Sequence, residues 1–230
     1  MKISRREFVG NAAASAGGLW FFGARGSHAP RHCFDRQTEE RRCAILDAGS
    51  DCILRESLQG YQTVLGEQSI SVSGDERSWK RCRLLIVPGI GALKPDVGSV
   101  LMKLLDAGGQ ILLESGAGFL SAAEFAEHRN MLQRFFGLAV DAPVDLWAVR
   151  ESVSYVRYEW PRKLLVRDFS RAVPVSGQPE EIIGKVGTLP VALSRRMANG
   201  SIIFLGSPMG PALRSGDAEA LAWIRSLASV

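Results

Sequence analysis

An α/β fold built on a doubly wound, mostly parallel sheet is predicted by three features of this sequence. Between residues 43 and 137, short apolar runs typical of buried strands alternate with amphipathic segments typical of helices. Short, glycine-rich connections link these segments, as in parallel strands joined by right-handed crossovers. After about residue 140 the pattern changes to an alternation of polar and apolar residues, which predicts an antiparallel C-terminal extension.

The strands of the parallel part are predicted from four apolar runs. They are Cys43–Leu46, Ser69–Val72, Leu84–Val87 and Gln110–Glu114. Their order along the chain favours a flavodoxin-like sheet in which the first run is central and the third and fourth runs lie together on one side of it. Helices should then cover both faces of the sheet.

The helices and the C-terminal hairpin follow from periodicity and turn residues. A helix over 96–107 carries apolar residues at helical spacing and ends at Gly108-Gly109. Three further helices are predicted. One is capped by Ser50 or Asp51 and carries Ile53, Leu54, Leu58 and Val64 on one face, one follows the Ser115–Gly118 turn, and one covers Asp217–Leu227. Asn199-Gly200 between two apolar runs predicts a hairpin with an Asn-Gly turn.

The charge of the chain is unevenly distributed. The net charge is +4 over 230 residues, but residues 1–42 hold eight Lys/Arg and four Asp/Glu, whereas residues 43–230 hold twenty of each. Nucleic-acid binding needs a clustered basic face, so we expect no nucleic-acid partner. The pairs Arg162-Lys163 and Arg195-Arg196 are short and are expected to be solvated surface.

The N-terminus has the layout of an export signal. Ser4-Arg5-Arg6-Glu7-Phe8 precedes a weakly apolar stretch rich in alanine and glycine. Arg5, Arg6 and Phe8 resemble the core of a twin-arginine signal, which implies export by the twin-arginine translocase to the periplasm. The chain thus divides into a signal or anchor over 1–29, a polar linker over 30–42 and an α/β domain over 43–230. Pro30 directly after Ala29 would hinder cleavage, so a leader that stays as a membrane tether is the alternative.

A candidate ligand crevice is predicted where the parallel strands end. Ligands of open parallel sheets bind outside the carboxyl ends of the strands, and each predicted end here is rich in glycine, which lets backbone amides approach a ligand. Tight turns between strands and helices require glycine as well, so a structural role for each loop stays open. The candidate residues are Asp47, Gly89, Gly91, Glu114, Ser115, Gly116, Ser207 and Met209.

Three of these segments resemble class I glutamine amidotransferases. The run L-L-I-V-P-G-I-G-A-L (84–93) is similar to the family's oxyanion strand. The run I-L-L-E-S-G-A-G-F (111–119) lies where the family has its nucleophile elbow, and G-S-I-I-F-L-G-S-P-M-G (200–210) lies where it has a strand ending in His-Pro-Glu. The resemblance covers about 43–137 and 187–230.

The family's catalytic residues are not retained in this resemblance. The positions of its cysteine, histidine and glutamate fall on Gly116, Ser207 and Met209. The remaining candidate base, His128, is expected two helical turns from the strand end, too far from a nucleophile. The sequence therefore predicts a non-catalytic pseudo-amidotransferase domain, exported to the cell envelope to bind a small molecule or a protein partner. It assigns no catalytic residue and no metal site, and it leaves the cofactor unknown.

The alternative is a hydrolase with a non-standard site around Ser115 and Glu114. Ser115 is one residue early for a Gly-x-Ser-Ala-Gly elbow, and a turn or helix-capping role explains it as well. Glu114 ends a buried strand, so its carboxylate must face the crevice or find a partner in a neighbouring loop.

A second candidate recognition feature is the segment Tyr155–Pro161, Y-V-R-Y-E-W-P. It mixes aromatic residues with Arg157 and Glu159, as a recognition edge would. A half-exposed strand accounts for the same alternation, so both interpretations stay open.

Overall fold

The computed structural model describes residues 43–47, 55–66, 69–71, 82–115, 119, 121–146, 155–168 and 171–228. All of them belong to the compact unit Glu39–Val230. The predicted signal with Arg5, Arg6 and Phe8, and the predicted linker 30–42, lie outside the described residues. No helix in the described ranges is long and apolar enough to span a membrane.

The described part of the domain contains thirteen strands, five α-helices and one short 3-10 helix. The strands are β1 Cys43–Asp47, β2 Ser69–Ser71, β3 Leu84–Ile90, β4 Gln110–Ser115, β5 Ala139–Val140, β6 Val144–Asp145, β7 Tyr155–Tyr158, β8 Leu164–Arg167, β9 Arg171–Ala172, β10 Val175–Ser176, β11 Ile182–Val186, β12 Leu189–Met197 and β13 Gly200–Leu205. The helices are α1 Arg55–Leu65, α2 Pro95–Asp106, α3 Ala122–Phe136, the 3-10 helix Pro179–Glu181, α4 Gly210–Arg214 and α5 Ala218–Ala228.

One sheet of nine strands organises the domain, in the order β2-β1-β3-β4-β13-β12-β11-β7-β8. The first five strands pair in parallel, and the last four pair antiparallel. The mixed α/β class predicted from the sequence is therefore confirmed. The third and fourth predicted strands lie next to each other on one side of the first, as expected. The antiparallel part, however, makes up almost half of the sheet.

Helices cover both faces of the parallel half. The side chains of α2 and α3 pack with alternate residues of β3 and β4, including Leu85 and Leu113, in one buried cluster. The side chains of α1, α4 and α5 pack with the intervening residues, including Ile86 and Leu112, in a second cluster. This division follows from the alternation of side chains along a strand. It explains why every residue of β3 is buried.

The antiparallel half has a different pattern, because β7 and β8 alternate between buried and exposed positions. Val156 and Tyr158 face the cluster that contains Trp223 of α5, whereas Tyr155 and Arg157 are exposed. Antiparallel sheets often have one packed and one solvated face. The recognition-edge segment Tyr155–Pro161 thus contains a half-exposed strand with one bare face.

The hairpin β12–β13 forms as predicted, but its turn lies one residue earlier. Met197 pairs with Gly200, so the two turn residues are Ala198 and Asn199 rather than Asn199 and Gly200. Ala198 has φ 50°, in the left-handed region that two-residue hairpins require. The Asn199 side chain donates to the Asp106 carbonyl at the end of α2, which fixes the asparagine at the second turn position.

Helices α1 and α4 cross in direct backbone contact. A Cβ on Gly60 would lie 2.0 Å from the Gly210 carbonyl oxygen, and a Cβ on Gly210 would lie 2.1 Å from the Ser57 Cα. Only glycine at both positions permits this approach. The contact holds the start of α4 against the sheet, beside the end of β4.

Arg195 links its own strand, β12, to the 3-10 helix and to the C-terminus of α3. Its guanidinium binds both carboxylate oxygens of Glu181, at 2.7 and 2.8 Å, and donates to the Gly137 carbonyl that follows α3. These bonds lower the pKa of Glu181. The expectation that Arg195-Arg196 is merely solvated surface is therefore wrong for Arg195, because β12 carries the two side chains in opposite directions.

We expect Arg195→Ala to lower the free energy of unfolding by about 1–2 kcal/mol, because a bidentate charged pair and a bond to a helix C-terminus are lost. Arg196→Ala, at the exposed neighbouring position, is the matched control and should change stability by less than about 0.5 kcal/mol. Urea unfolding followed by circular dichroism measures both. Equal effects of the two substitutions would contradict the structural role of Arg195.

Candidate functional site at the carboxyl end of the parallel strands

The last two residues of β4, Glu114 and Ser115, are both fully buried. Successive side chains of a strand point to opposite faces of the sheet. Glu114 points toward α1 and α4, and Ser115 points toward α3, as their hydrogen bonds show. The single crevice predicted from the sequence is thus divided by the sheet into two separate environments.

The Glu114 carboxylate is the centre of the first environment. Oε1 accepts hydrogen bonds from the Tyr61 hydroxyl and the Gly210 amide, each at 3.0 Å, and from the Met209 amide. Oε2 accepts a bond of 2.9 Å from the Gly89 amide. The donors come from α1, from the start of α4 and from β3. Glu114 therefore joins the loops at the ends of three elements to β4, and its structural role is established.

A bulge in β3 aims the Gly89 amide at Glu114. The register between β3 and β4 shifts between Val87 and Ile90, where the sequence reads Pro88-Gly89. Gly89 has φ 41°, a conformation that side chains disfavour. The glycine that was predicted to let backbone approach a ligand instead brings its amide to a carboxylate of the same chain.

Burial and hydrogen bonding act against each other on Glu114. Desolvation raises the pKa of its carboxyl above the usual value, although the Gly210 and Met209 amides act to lower it. Burial, followed by the charge of Glu114, raises the pKa of Tyr61 well above its usual value, so this hydroxyl stays a donor. With its oxygens engaged in this way, Glu114 has little capacity for a ligand.

The second environment contains a serine and a histidine in hydrogen-bond contact. Ser115 Oγ and His128 Nε2 are 3.1 Å apart, and both residues are fully buried. The His128 ring lies 5.2 Å from the ring of Phe119, which packs edge-on against Phe125. A hydroxyl and an imidazole at this distance match the pairing of a nucleophile with its base.

The prediction that His128 lies too far from the strand end is wrong. His128 is indeed in the second turn of α3, but the helix runs back across the sheet and returns that turn to Ser115. Distance along a helix from its start therefore does not measure distance from the strand. The spacing Phe125, His128, Leu132 places the histidine on the buried face of α3 and could have indicated this.

Burial also fixes the charge state of His128. Desolvation lowers its pKa to about 4, so the imidazole is neutral at pH 7. Nδ1 has no hydrogen-bond partner in the described structure. A neutral histidine that contacts a serine hydroxyl is in the protonation state of a general base.

Ser207 and Met209, which follow β13, have separate roles. The Ser207 hydroxyl donates to Asp168 Oδ2 at 2.9 Å, and both residues are buried. Met209 contributes its amide to Glu114 and packs its buried side chain with the core cluster of α1 and α5. The sequence did not point to Asp168, since it follows an antiparallel strand distant in the chain.

The remaining predicted crevice residues are placed only in part. Gly91 follows β3 directly and is half-buried. The backbone of Asp47 ends β1, but its side chain and the whole of Gly116 lie outside what the structure describes. Across the described ranges, His, Cys, Asp and Glu side chains form no group that could hold a metal ion.

Several solved structures share this fold. The match to the β-galactosidase from Rahnella sp. R3 covers 82% of this chain and 31% of the enzyme's chain, with a TM-score of 0.59 and 13% identity. The match to the exo-β-1,4-mannosidase Op5Man5 from Opitutaceae bacterium strain TAV5 covers 81% of this chain and 36% of the enzyme's chain, with a TM-score of 0.58 and 13% identity. The match to a cytoplasmic protein from Salmonella typhimurium LT2 covers 82% of this chain and 95% of that protein's chain, with a TM-score of 0.56 and 10% identity.

The likeness to these proteins is one of fold. The chain spans about a third of the length of the two glycosidases. The shared part is an open sheet of mixed direction, unlike a closed barrel of eight parallel strands. No family model and no curated protein matches the sequence.

These matches correct the function expected from the sequence. The matched enzymes are glycosidases, not glutamine amidotransferases, so the prediction of a non-catalytic pseudo-amidotransferase binding or accessory domain is wrong. The argument behind that prediction also fails, because it required that no histidine reach the strand end, and His128 does.

We expect Glu114→Gln to lower the free energy of unfolding by about 1–3 kcal/mol. Glutamine has one carbonyl oxygen, and its amide group would place a donor against the Gly89 amide or against the donors at Oε1. Denaturant unfolding measures the loss, and Glu56→Gln is the control, since Glu56 forms only an exposed 3.4 Å pair with Arg214. Full stability of Glu114→Gln would contradict the role of Glu114 as a joint between loops.

Proposed function

We propose that this protein is a hydrolase in which Ser115 is the nucleophile and His128 is the general base. The observation that carries the proposal is the 3.1 Å contact between Ser115 Oγ and His128 Nε2 at the carboxyl end of a parallel strand. Open parallel sheets bind ligands at this edge. Of the two residues in the sequence-based alternative, Ser115 is retained here, while Glu114 supports the loops from the other face.

The chemistry follows from the pair. Ser115 Oγ attacks an acyl carbon while its proton passes to His128 Nε2. His128 then returns that proton to the leaving alcohol, and water hydrolyses the acyl-serine by the same route in reverse. Burial lowers the pKa of His128 to about 4, so the imidazole is neutral at pH 7, the state that a general base needs before it takes the proton.

Phe119 is the side chain that a substrate would have to displace. Both reacting residues are fully buried, whereas Phe119 is half-buried and stacks near the His128 ring. Its partner Phe125 is fixed in α3. Movement of the Phe119 ring would therefore uncover the imidazole.

We further propose that the substrate is an ester carried by a sugar. About a third of the chain of each of two glycosidases has this fold, which supports a carbohydrate. Cleavage of a glycosidic bond takes two carboxyl groups that flank it. Here Glu114 is occupied by the amides and hydroxyl around it, and Asp168 accepts the Ser207 hydroxyl. A serine and a histidine suit an acyl bond instead.

The finer fold assignment is also a proposal. We assign the parallel half to the flavodoxin-like, doubly wound type and retain the resemblance to the class I glutamine amidotransferase superfamily at the level of fold. The strand order β2-β1-β3-β4-β13 supports this assignment, because it is the order 2-1-3-4-5 of such sheets. Helices on both faces support it as well.

We propose that the protein acts in the periplasm, exported by the twin-arginine translocase or held at the inner membrane by an uncleaved leader. Arg5, Arg6 and Phe8, followed by a weakly apolar stretch, support this location. That route carries folded proteins, which suits a site assembled from distant parts of the chain.

Ser115→Ala and His128→Gln should each reduce the hydrolysis of acetylated sugars and of p-nitrophenyl acetate by at least about 100-fold. The rate of the native protein should fall as the pH drops toward about 4, where His128 becomes protonated. Initial rates from pH 3.5 to 8 measure both effects. Ser99→Ala, an exposed serine on α2, is the control and should keep full activity.

Two results would reject this function. One is a native protein without esterase activity on any acetylated sugar. The other is full activity in Ser115→Ala, with only a change in its melting temperature, which would make the pair purely structural.

Changing Arg5 and Arg6 together to lysine should retain the protein in the cytoplasm, because the paired guanidinium groups identify this export route. Cell fractionation with immunoblotting measures the distribution, with Arg25→Lys as the control outside the motif. Normal periplasmic recovery of the double variant would exclude the twin-arginine translocase.

A further inference from the structure

We propose that the bare sheet face of the β7–β8 hairpin and the adjoining β11, formed by Tyr155, Arg157, Leu165 and Lys185, binds an anionic phospholipid surface. We call these four residues the hairpin face. They lie away from the Ser115–His128 pair, and the proposal is independent of the hydrolase function.

Two large apolar side chains are exposed on this face. Tyr155 is 46% exposed and Leu165 is 49% exposed, and they are the exposed large hydrophobic residues of the described chain. Leu165 lies opposite Arg157, two residues from Tyr155 on β7, so the two apolar side chains are diagonal neighbours on the same side of the sheet. Exposed apolar residues that cluster in this way mark interaction surfaces.

Two cations lie in the same row of the face. Arg157 pairs directly with Lys185 across β7 and β11, and both are exposed. Like charges opposite each other destabilise a sheet. Neither residue forms an ion pair within the described ranges, so an external anion would relieve the repulsion.

The acidic group nearest along β7 does not neutralise these cations. Glu159, two residues beyond Arg157, pairs with Lys163 at 3.4 Å. The face is thus locally positive on a domain whose Lys/Arg and Asp/Glu are equal in number.

The combination of residues selects among anionic partners. A second copy of this chain would bring four cations into one interface to which the hairpin face contributes no acidic residue, and is disfavoured. Nucleic acids are held by basic groups and aromatic stacking, to which a half-exposed leucine contributes nothing. At a bilayer surface leucine enters the apolar layer, tyrosine sits at headgroup level, and lysine and arginine attract anionic lipids. All four side chains are accounted for only in this case.

Hydrogen–deuterium exchange of the full-length protein, with and without vesicles, localises the contact. Vesicles of phosphatidylcholine that contain ~25 mol% phosphatidylglycerol have a negative surface potential. They should slow exchange in peptides that cover β7, β8 and Lys185. Pure phosphatidylcholine should not. Because the readout is local, binding through other segments of the chain does not mask it.

Variants separate the contributions. Arg157→Glu with Lys185→Glu should weaken vesicle binding by roughly fivefold per cation removed or more, and Tyr155→Ser with Leu165→Ser should abolish the protection of the hairpin. Arg129→Glu, an exposed position on α3, is the charge-matched control and should behave like the native protein. Equal melting temperatures show that each variant is folded.

Three outcomes would overturn the proposal. The first is no vesicle-dependent protection of the hairpin. The second is unchanged protection in the Arg157→Glu/Lys185→Glu variant. The third is equal protection by a soluble polyanion such as heparin or single-stranded DNA, which would assign the face to a polymer rather than to a lipid surface.

Discussion

The structure depends most on one buried carboxylate. Glu114 has no solvent contact, and ionising such a group without partners is prohibitively unfavourable. Its partners are a tyrosine hydroxyl from α1, an amide from the bulge of β3 and two amides from the start of α4. Each partner belongs to a segment distant in sequence. The loops at this edge of the sheet are consequently fixed relative to one another. Glycine is required at Gly60 and Gly210 because the two backbones touch there, and at Gly89 because of its positive φ.

Glu114 and Ser115 are consecutive in β4, so their side chains point to opposite faces of the sheet. Glu114 holds the loops together on one face, and Ser115, the proposed nucleophile, lies on the other. Glu114 anchors the end of β4 from one side, and His128 contacts Ser115 from the other. The position of the serine thus depends on a carboxylate that it never contacts. Such an arrangement lets the rigid face of the sheet orient the proposed nucleophile on the other face, where Phe119 beside the His128 ring is half-buried.

The two halves of the sheet differ in exposure for a physical reason. Parallel strands connected by helices have both faces covered, so the side chains of β3 and β4 pack against helices along the strands. Antiparallel strands joined by short turns need no crossover helices. One face of β7 and β8 packs on α5, and the other remains open with Tyr155 and Leu165 exposed. The proposed chemistry and the proposed membrane contact accordingly lie on different halves.

Local pattern in the sequence was enough to predict the α/β class, the strands of the parallel half and the carboxyl edge as the place of interest. It did so because burial on both faces produces continuous apolar runs and tight turns require glycine. Tertiary structure alone decided which groups meet there. The pairing of His128 with Ser115, the convergence of donors on Glu114 and the contact of Ser207 with Asp168 all join residues from separate elements. Periodicity specifies the face on which a side chain lies, but only the packing of helices on the sheet sets the partner that it reaches.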